Sequence, residues 1–442
     1  MSGAGVAAAR RSLDRRAAAL AVPALGALAA EPLYVLADTV IVGRLGKVPL
    51  AGLAVASSAL TTIAWLCGSL NQVTTTRVAH SRGANDPVAR ASAVRTALAM
   101  VFALAALTVA VLVGLAPVIA RLYGPEAAVR SAAVTYLRVA ALGMPALFLG
   151  FVGVGYVNGM GRTRRVLVVV VIANVLNVVL EIAFVYWFHW GIAGSAWGTV
   201  VAQWTQAALL LFDLRSAGAV APWRGVRRAE LAAFASAATR FTLRTLCIVA
   251  VFAFAVATAA RMGTRQLAAH QIGEKLFNLL ALSLDAVAVA AQVLVGESVG
   301  AGAIADARLV GRHLVGRSVI VGAALGVVVA VLSGELPMVF SDAGDVRHAA
   351  TGVLLLLAVM LVPGAVAFTY DGVCLGLGAY AFLQRQALTA TVLMVPFYAV
   401  LLTHRWLGLP VLWAGIIGWM AARAAIQHAW FRGGSWVATA SR

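Results

Sequence analysis

The chain has 442 residues, of which 62% are hydrophobic and only 11% are charged, and its formal net charge is +18. Several apolar runs exceed about eighteen residues, the length that a helix needs to cross a bilayer, so a soluble globular fold is excluded. The three cysteines show no C-x-x-C spacing and give no support to a disulfide framework or a metal cluster. The composition predicts an all-α polytopic membrane protein.

Twelve apolar segments follow one another along the chain, and each is long enough for one transmembrane helix. They cover residues 17–43, 50–76, 96–120, 131–159, 166–188, 192–214, 241–260, 266–294, 316–340, 348–378, 386–403 and 408–430. Many of these segments mix Ala, Gly and Ser with Val and Leu, which is typical of helices that pack closely on one another within a membrane.

The positive charge separates by loop. With the N-terminus inside, 24 Lys and Arg fall on inner segments and eight on outer loops, which leaves Arg138 and Lys275 within helices. The positive-inside rule therefore predicts that both termini are cytoplasmic, in a bacterial inner (plasma) membrane. The basicity reflects membrane topology, so it does not indicate a nucleic-acid partner.

The sequence matches itself at an offset of 217 residues. Arg44-Leu45-Gly46 aligns with Arg261-Met262-Gly263, Gly159 with Gly376, and Gly191 with Gly408. Each half holds an even number of segments, so the halves are parallel repeats, and substrate sites in such folds lie between the halves. The sequence thus predicts two pseudo-symmetric six-helix bundles around a central cleft. The predicted lobes are residues 1–215 and 231–442, joined by a cytoplasmic linker at 216–230.

The stretch from Glu31 to Gly46 places two carboxylates in the first apolar segment. A carboxylate at mid-membrane costs about 2.5 to 3.5 kcal/mol on insertion scales, so Asp38 is expected to face a protein interior or a water-filled cavity. Glu31 precedes Asp38 by seven residues, two helical turns, so both can point the same way. Glu31 is either a relay carboxylate or a partner of the arginines in the inner loops.

A second polar group lies between Asn174 and Thr199. Asn174, Asn177 and Glu181 fall at i, i+3 and i+7, one face of a helix. Counted from the helix ends at 1.5 Å per residue, Asp38, Glu181 and Thr199 all lie roughly 7 to 11 Å below the outer surface, so they can converge on one cavity. Alternatively, Glu181 snorkels to the interface and the asparagines only hydrogen-bond neighbouring helices.

The second half carries its own charged and polar residues within apolar segments. Charged groups there are functional candidates by default, which makes a substrate or relay function possible for Glu274, Asn278, Asp285 and Asp371. Lys275 has an alternative structural interpretation, because it can pair with one of these acids and hold the helices in register.

Several of these motifs resemble one transporter family. Asp38-Thr39, Val42-Gly43 and Leu50-Ala51, with their echoes Leu267-Ala268 and Val295-Gly296, are similar to the pattern of multidrug and toxic compound extrusion (MATE) transporters, above all the DNA-damage-inducible (DinF) branch. The resemblance implies a cation site, with Na⁺ as one possible ion, built from Asp38, Asn177, Glu181 and Thr199. Glu181 departs from the family, which has Asp there, and its longer side chain can alter the choice of ion.

Two functions follow as hypotheses. The first is a secondary multidrug efflux antiporter that exports organic, cationic or amphipathic compounds by alternating access, driven by Na⁺ or H⁺. The alternative is a flippase for lipid-linked saccharides, which is expected to gather Arg and Lys at mid-membrane. No nucleophile, metal or nucleotide motif points to an enzyme or a cofactor. The expected partners are small organic molecules and the bilayer, and the expected state is a monomer.

Overall fold

A computed structural model describes residues 3–123, 126–216 and 226–437, and residues 217–225, most of the predicted linker, lie outside these ranges. The described chain is helical and shows no strand. Its α-helices are α1 (Gly3–Gly43), α2 (Lys47–Cys67), α3 (Ser69–Gly83), α4 (Pro87–Tyr123), α5 (Ala127–Ala141), α6 (Met144–Gly159), α7 (Thr163–Ile182), α8 (Gly191–Ser216), α9 (Arg228–Met262), α10 (Thr264–Gly300), α11 (Ile304–Val331), α12 (Gly344–Gly376), α13 (Tyr380–Thr403) and α14 (Gly408–Gly433).

These helices confirm an all-α polytopic membrane protein. Within the described residues, ten helical spans are long and apolar enough to cross a bilayer, with α2 and α3 counted as one span. The bent pair α5–α6 makes an eleventh span. The remaining predicted segment corresponds to α8, whose 26 residues reach about 39 Å at 1.5 Å per residue. Polar residues such as Thr199, Gln203 and Gln206 make α8 less apolar than the other spans.

The backbone confirms the internal repeat. Eight of the ten described residues with positive φ form pairs that are 217 positions apart, and the paired values are close: Gly46 and Gly263 at 115° and 120°, Asn85 and Gly302 at 56° and 70°, Gly161 and Gly378 at 70° and 69°, and Gly191 and Gly408 at 57° and 69°. Each pair ends or begins a helix in both halves, which is where a left-handed residue is needed to reverse the chain.

Helix starts repeat with the same offset. The first residues of α2, α4, α5, α7 and α8 lie 217 positions before those of α10, α11, α12, α13 and α14. Interhelical contacts repeat as well. A Cβ added to Gly159 would lie 2.7 Å from the Thr75 carbonyl oxygen, and one added to Gly376 would lie 2.7 Å from that of Gln292. Both halves therefore use a glycine at the same place to bring two helices into backbone contact.

The described helices pack into two compact units. The N-terminal unit is Val22–Thr239, in which α3 packs on α6, α7 on α8, and α2 on α5. The C-terminal unit combines Met1–Ala21 with Arg240–Arg442, and its core is formed by α10, α11, α12 and α14. The predicted lobes at 1–215 and 231–442 remain a proposal from the sequence.

The N-terminal unit contains two helix breaks that are absent from the equivalent helices α10 and α12 of the C-terminal unit. Gly68 separates α2 from α3, and Leu142–Gly143 separates α5 from α6 at an angle of 50°, whereas α10 and α12 run without interruption. A break in a membrane helix leaves backbone carbonyls that need other donors. The Trp204 indole of α8 donates to the Leu142 carbonyl at 3.1 Å, so the bend is held from a neighbouring helix.

Candidate functional site

The N-terminal unit buries four polar side chains at one place. Asp38 of α1 is 5% exposed, Asn177 and Glu181 of α7 are 2% and 0% exposed, and Thr199 of α8 is 8% exposed. Asn177 and Glu181 share a face of α7 because they lie four residues apart. The structure therefore brings together the four residues for which a cation site was predicted.

Asn177 connects the two neighbouring helices. In the orientation of its amide that satisfies both ends, the amide nitrogen donates to Asp38 Oδ1 at 3.2 Å, and the amide oxygen accepts from the Thr199 hydroxyl at 3.2 Å and from the Thr199 backbone N–H at 3.1 Å. One side chain on α7 thus fixes the positions of the α1 carboxylate and the α8 hydroxyl.

Glu181 lies beside Asp38, close enough for the two carboxyl groups to interact directly. Neither Glu181 oxygen accepts a hydrogen bond from a donor in the described residues, although both are buried. Gly198 of α8 permits this arrangement, because a Cβ at that position would lie 3.1 Å from the Glu181 backbone nitrogen. Two carboxylates without a shared proton or a cation repel each other strongly in a site of this kind.

A π-helical segment follows α7 directly. It covers Ala183–Trp187, and the Tyr186 hydroxyl donates to the Ile41 carbonyl at 2.8 Å, three residues after Asp38. Single π turns widen a helix locally and occur often at functional sites. Here the segment ties the end of α7 to α1 on the side where Asp38 and Glu181 meet.

Two tyrosines complete the site, and the sequence did not point to them. Tyr34 lies one turn before Asp38 on α1, and Tyr136 of α5 is 3% exposed. Both tyrosines lie within electrostatic range of Asp38 and Glu181. The i, i+4 spacing of Tyr34 and Asp38 was a usable signal. Tyr136 gave none, because it reaches the site from a helix about a hundred residues away.

The remaining predicted residues of the first half lie apart from this group. The Asn174 amide donates to the Ala30 carbonyl at 2.9 Å, which joins α7 to α1 as the packing interpretation expected. Glu31 is exposed and forms no ion pair with an arginine of the described chain. The structure thus favours neither of its two interpretations.

In the second half, Glu274 and its neighbours do not assemble a comparable cluster. Glu274 accepts a weak hydrogen bond from Gln271 at 3.4 Å and lies 3.9 Å from the buried His270 ring, which packs edge to face on Trp413. Lys275 and Asn278 are exposed, and Lys275 makes no ion pair with an acid among the described residues. A pairing of Lys275 within the helices therefore finds no support.

Asp371 of α12 has a different environment from the one expected. Arg244 of α9 and Arg423 of α14 both donate to its Oδ2, the latter at 2.8 Å, and Gln427 donates to its Oδ1 at 2.6 Å. Asp285 lies within electrostatic range of Arg244 and Asp371. Arg244 and Arg423, which were counted among the 24 basic residues of the inner segments, thus lie within α9 and α14 and contact a buried carboxylate.

The polar atoms of the first site are of the kind that can bind a small hard cation. Its ligand atoms are carboxylate, amide and hydroxyl oxygens. Such oxygens bind Na⁺ and protons, whereas soft transition metals do not favour them. In the described residues no three His, Cys, Asp or Glu side chains lie together. Proton binding by either carboxylate and Na⁺ binding between them are both compatible with these groups.

Comparison with known proteins agrees with this geometry. The model of the MatE family matches residues 23–183 and 241–400, the larger part of both halves. DNA damage-inducible protein F of Escherichia coli is 26% identical over 441 residues, covering 97% of this chain and 95% of its own. A probable multidrug resistance protein NorM of Aromatoleum aromaticum is 30% identical over 346 residues, 75% of this chain and 73% of its own.

A solved structure of a multidrug resistance MATE family transporter in an outward-facing conformation superposes with a TM-score of 0.87 at 20% identity, over 97% of this chain and 96% of that one. A likeness at this identity shows the fold, and the family model, matching more than half of the chain, shows the membership. The resemblance predicted from the motifs is confirmed, and the chain belongs to the MatE family of membrane transporters.

Proposed function

We propose that this protein is a secondary multidrug efflux antiporter, which exports organic cationic or amphipathic compounds in exchange for Na⁺ or H⁺. The observation that carries the proposal is the buried pair Asp38 and Glu181, bridged through Asn177 to Thr199. Names of relatives agree with it, since several are multidrug resistance proteins.

The pair supports coupling for a physical reason. A ligand can drive a conformational equilibrium only through a difference in its affinity for the two states. Asp38 and Glu181 come from different helices, so a small movement of α1 against α7 changes the distance between them. Bringing two carboxylates together favours a bound cation, and separating them releases it.

The flippase alternative predicts that Arg and Lys gather within the membrane, and two arginines of the C-terminal unit partly meet this expectation. Arg244 and Arg423 lie within helices long enough to cross the membrane. Both, however, bind Asp371, and Asp285 is nearby, so the cluster carries balanced formal charge. A cluster without surplus positive charge gives little attraction for a pyrophosphate, and antiport remains the better-supported function.

Three further statements belong to the proposal. Both termini are cytoplasmic, as the distribution of arginines indicates. The membrane is the bacterial inner membrane. The transporter works as a monomer with small organic molecules as cargo.

The test is transport in proteoliposomes with imposed gradients. We expect that an Na⁺ gradient or a pH gradient, applied separately, accelerates efflux of a cationic dye several-fold above the rate without a gradient. Empty liposomes provide the background. If neither gradient changes the rate of dye efflux, and the protein translocates a fluorescent lipid-linked oligosaccharide, the antiport proposal is wrong and the flippase function is supported.

A further inference from the structure

A basic pocket lies between α4 and α5, apart from the cation site. It has a volume of about 400 Å³ and is lined by Pro117, Arg121, Ala127, Arg130, Ser131, Val134, Thr135 and Arg138. The residues from α5 fall at i, i+3, i+4, i+7, i+8 and i+11, so they form one face of that helix. Three guanidinium groups therefore converge on one cavity, and no carboxylate lines it.

Among the described residues, Arg121 and Arg138 have no acidic partner. Both are exposed, and neither forms an ion pair with an acid in the ranges that the structure describes. An arginine inside a membrane segment is costly unless it pairs or reaches the interface. The Ser131 hydroxyl is exposed in the same pocket and can donate a hydrogen bond to an anion.

The internal repeat shows which kind of surface this is. Adding 217 to Arg121 and Arg138 gives Met338 and Leu355, which are 52% and 47% exposed and apolar. Large exposed apolar side chains on a membrane span are typical of a surface that contacts lipid. Leu355 lies in the span α12, so Arg138 places positive charge where the second half exposes an apolar side chain of a membrane helix. Met338, the equivalent of Arg121, lies in the short 3-10 helix Leu336–Val339 between the spans α11 and α12.

The depth of the pocket matches a lipid headgroup. Pro117 and Arg121 lie in the last turns of α4, at the end of the apolar run 96–120, which places them at the boundary between hydrocarbon and water. Beside them, Leu115, Val118 and Leu122 are 50%, 49% and 79% exposed and occupy one side of α4. A headgroup in the pocket would have its acyl chains directed along this apolar stripe.

We propose that this pocket binds the phosphate of an anionic phospholipid, which under the topology proposed above belongs to the outer leaflet. Arginine matches phosphate oxygens bidentately, and basic pockets beside membrane helices select lipids with negative headgroups. The bound lipid neutralises the guanidinium groups and covers the side of α4 and α5.

The test uses native mass spectrometry of the purified full-length protein, titrated with phosphatidylglycerol. We expect one tightly held lipid on the wild type. Its dissociation constant should rise about fivefold in Arg121→Gln and in Arg138→Gln, and about 25-fold in the double variant, because each arginine near a lipid headgroup contributes about that factor. Arg44→Gln is the matched control, since Arg44 is an exposed outer-loop arginine outside the pocket.

Two further arms separate the possible sources of the anion. Phosphatidylcholine should bind the wild type more weakly than phosphatidylglycerol, and glycerol phosphate should not displace the lipid. Displacement by glycerol phosphate would make the pocket a site for soluble anions and overturn the lipid proposal. Equal lipid binding by the wild type and the double variant would also overturn it.

Lysine variants separate a loss of lipid contact from an effect of the substitution on folding. Arg121→Lys and Arg138→Lys keep the charge but lose the bidentate geometry, so their affinity should fall between those of the wild type and the glutamine variants. Wild-type affinity in both lysine variants, in protein with an unchanged unfolding midpoint, would show that charge alone explains binding and would contradict the bidentate contact.

Discussion

Asp38 and Glu181 place two buried carboxyl groups side by side, where burial removes most of the solvent that would separate their charges. A lone carboxylate there would be expensive, and two would be more so, unless a proton or a metal cation neutralises them. Asn177 cannot do this alone, because a neutral amide donates to Asp38 but adds no charge. The proposed coupling site rests on this pair, and under that proposal its affinity for a cation depends on the distance between two helices.

Thr199→Val tests the neutral part of the site. The substitution removes the hydroxyl that donates a hydrogen bond to the Asn177 amide oxygen. The Na⁺ or H⁺ concentration that gives half-maximal efflux should therefore rise about tenfold, which corresponds to the loss of one hydrogen bond. Thr205→Val is the control, because that hydroxyl bonds only within its own helix, to the Val201 carbonyl. An equal effect of the two changes would exclude a direct function for Thr199.

Asp371→Asn should act mainly on stability. The change leaves Arg244 and Arg423 buried without their carboxylate, and removing one partner of a buried ion pair costs about 3 to 5 kcal/mol. Thermal unfolding in detergent measures it, with Asp342→Asn as control, because Asp342 pairs with Arg347 at the surface. An unchanged unfolding midpoint with altered substrate choice would instead support the substrate function first considered for Asp371.

Residue spacing was enough to predict the acidic and amide groups of the site but not its surroundings. Asp38, Asn177 and Glu181 stand out because polar residues are rare in these segments, and helical geometry gives their depth. The contacts of Arg244 and Arg423 with Asp371 were not predicted, because an arginine near the end of an apolar segment looks like a charge at the inner membrane surface. Only the fold reveals that Asp371 lies between them.

At the level of elements, α8 approaches α7 unusually closely. A Cβ on Gly194 would lie 2.8 Å from the backbone carbon of Phe184 in the π-helical segment, and one on Gly198 would lie 3.1 Å from the Glu181 backbone nitrogen. Both glycines let the helix that carries Thr199 approach the helix that carries Asn177 and Glu181. The site therefore depends on backbone contact as well as on its polar side chains.

Gly194→Ala should separate these helices. The added methyl group meets backbone atoms that cannot rotate away, so α8 must move, at a cost of about 1 to 3 kcal/mol. We expect a lower unfolding midpoint and weaker ion dependence of efflux. Gly114→Ala is the control in the same unit, because no atom lies within 4 Å of its added Cβ. Wild-type behaviour of Gly194→Ala would show that the close approach is not required.

The helices themselves were largely predictable, and their breaks were not. Hydropathy gives the spans because every backbone group in lipid must be satisfied within a helix. The bend at Leu142–Gly143 depends on Trp204 of another helix, and α12 stays continuous although it contains Pro363. Local sequence alone therefore does not tell a bent span from a straight one.

Across the whole molecule, the two halves repeat their backbone but not their chemistry. Adding 217 to Asp38, Asn177, Glu181 and Thr199 gives Ala255, Met394, Tyr398 and Ile416, all part of the buried core of the C-terminal unit. The Tyr398 hydroxyl donates to the Val251 carbonyl, a bond that holds helices together. In the described residues, the proposed cation site of the N-terminal unit therefore has no chemical equivalent at the matching positions of the C-terminal unit.

Glu181→Gln and Tyr398→Phe form a matched pair at equivalent positions of the repeat. Glu181→Gln should weaken the gradient dependence of efflux, because one of the two carboxylates loses its charge. Tyr398→Phe should cost about 1 kcal/mol of stability through its lost hydrogen bond and leave gradient dependence unchanged. Gradient-driven efflux and thermal unfolding are measured for both. A loss of coupling in Tyr398→Phe would place a second ion-dependent site in the C-terminal unit.

The most direct measurement is ion-gradient-driven dye efflux by Asp38→Asn in proteoliposomes that contain equal amounts of wild type and variant. Asn keeps nearly the same shape and is easier to bury than a carboxylate, so the variant should fold and insert with equal or higher stability. Asp306→Asn, at an exposed position in the first turn of α11, is the control. We predict that Asp38→Asn loses the acceleration by both Na⁺ and pH gradients while the control retains it. Near-normal gradient-driven efflux by Asp38→Asn would contradict the assignment of the Asp38–Glu181 pair as the coupling site.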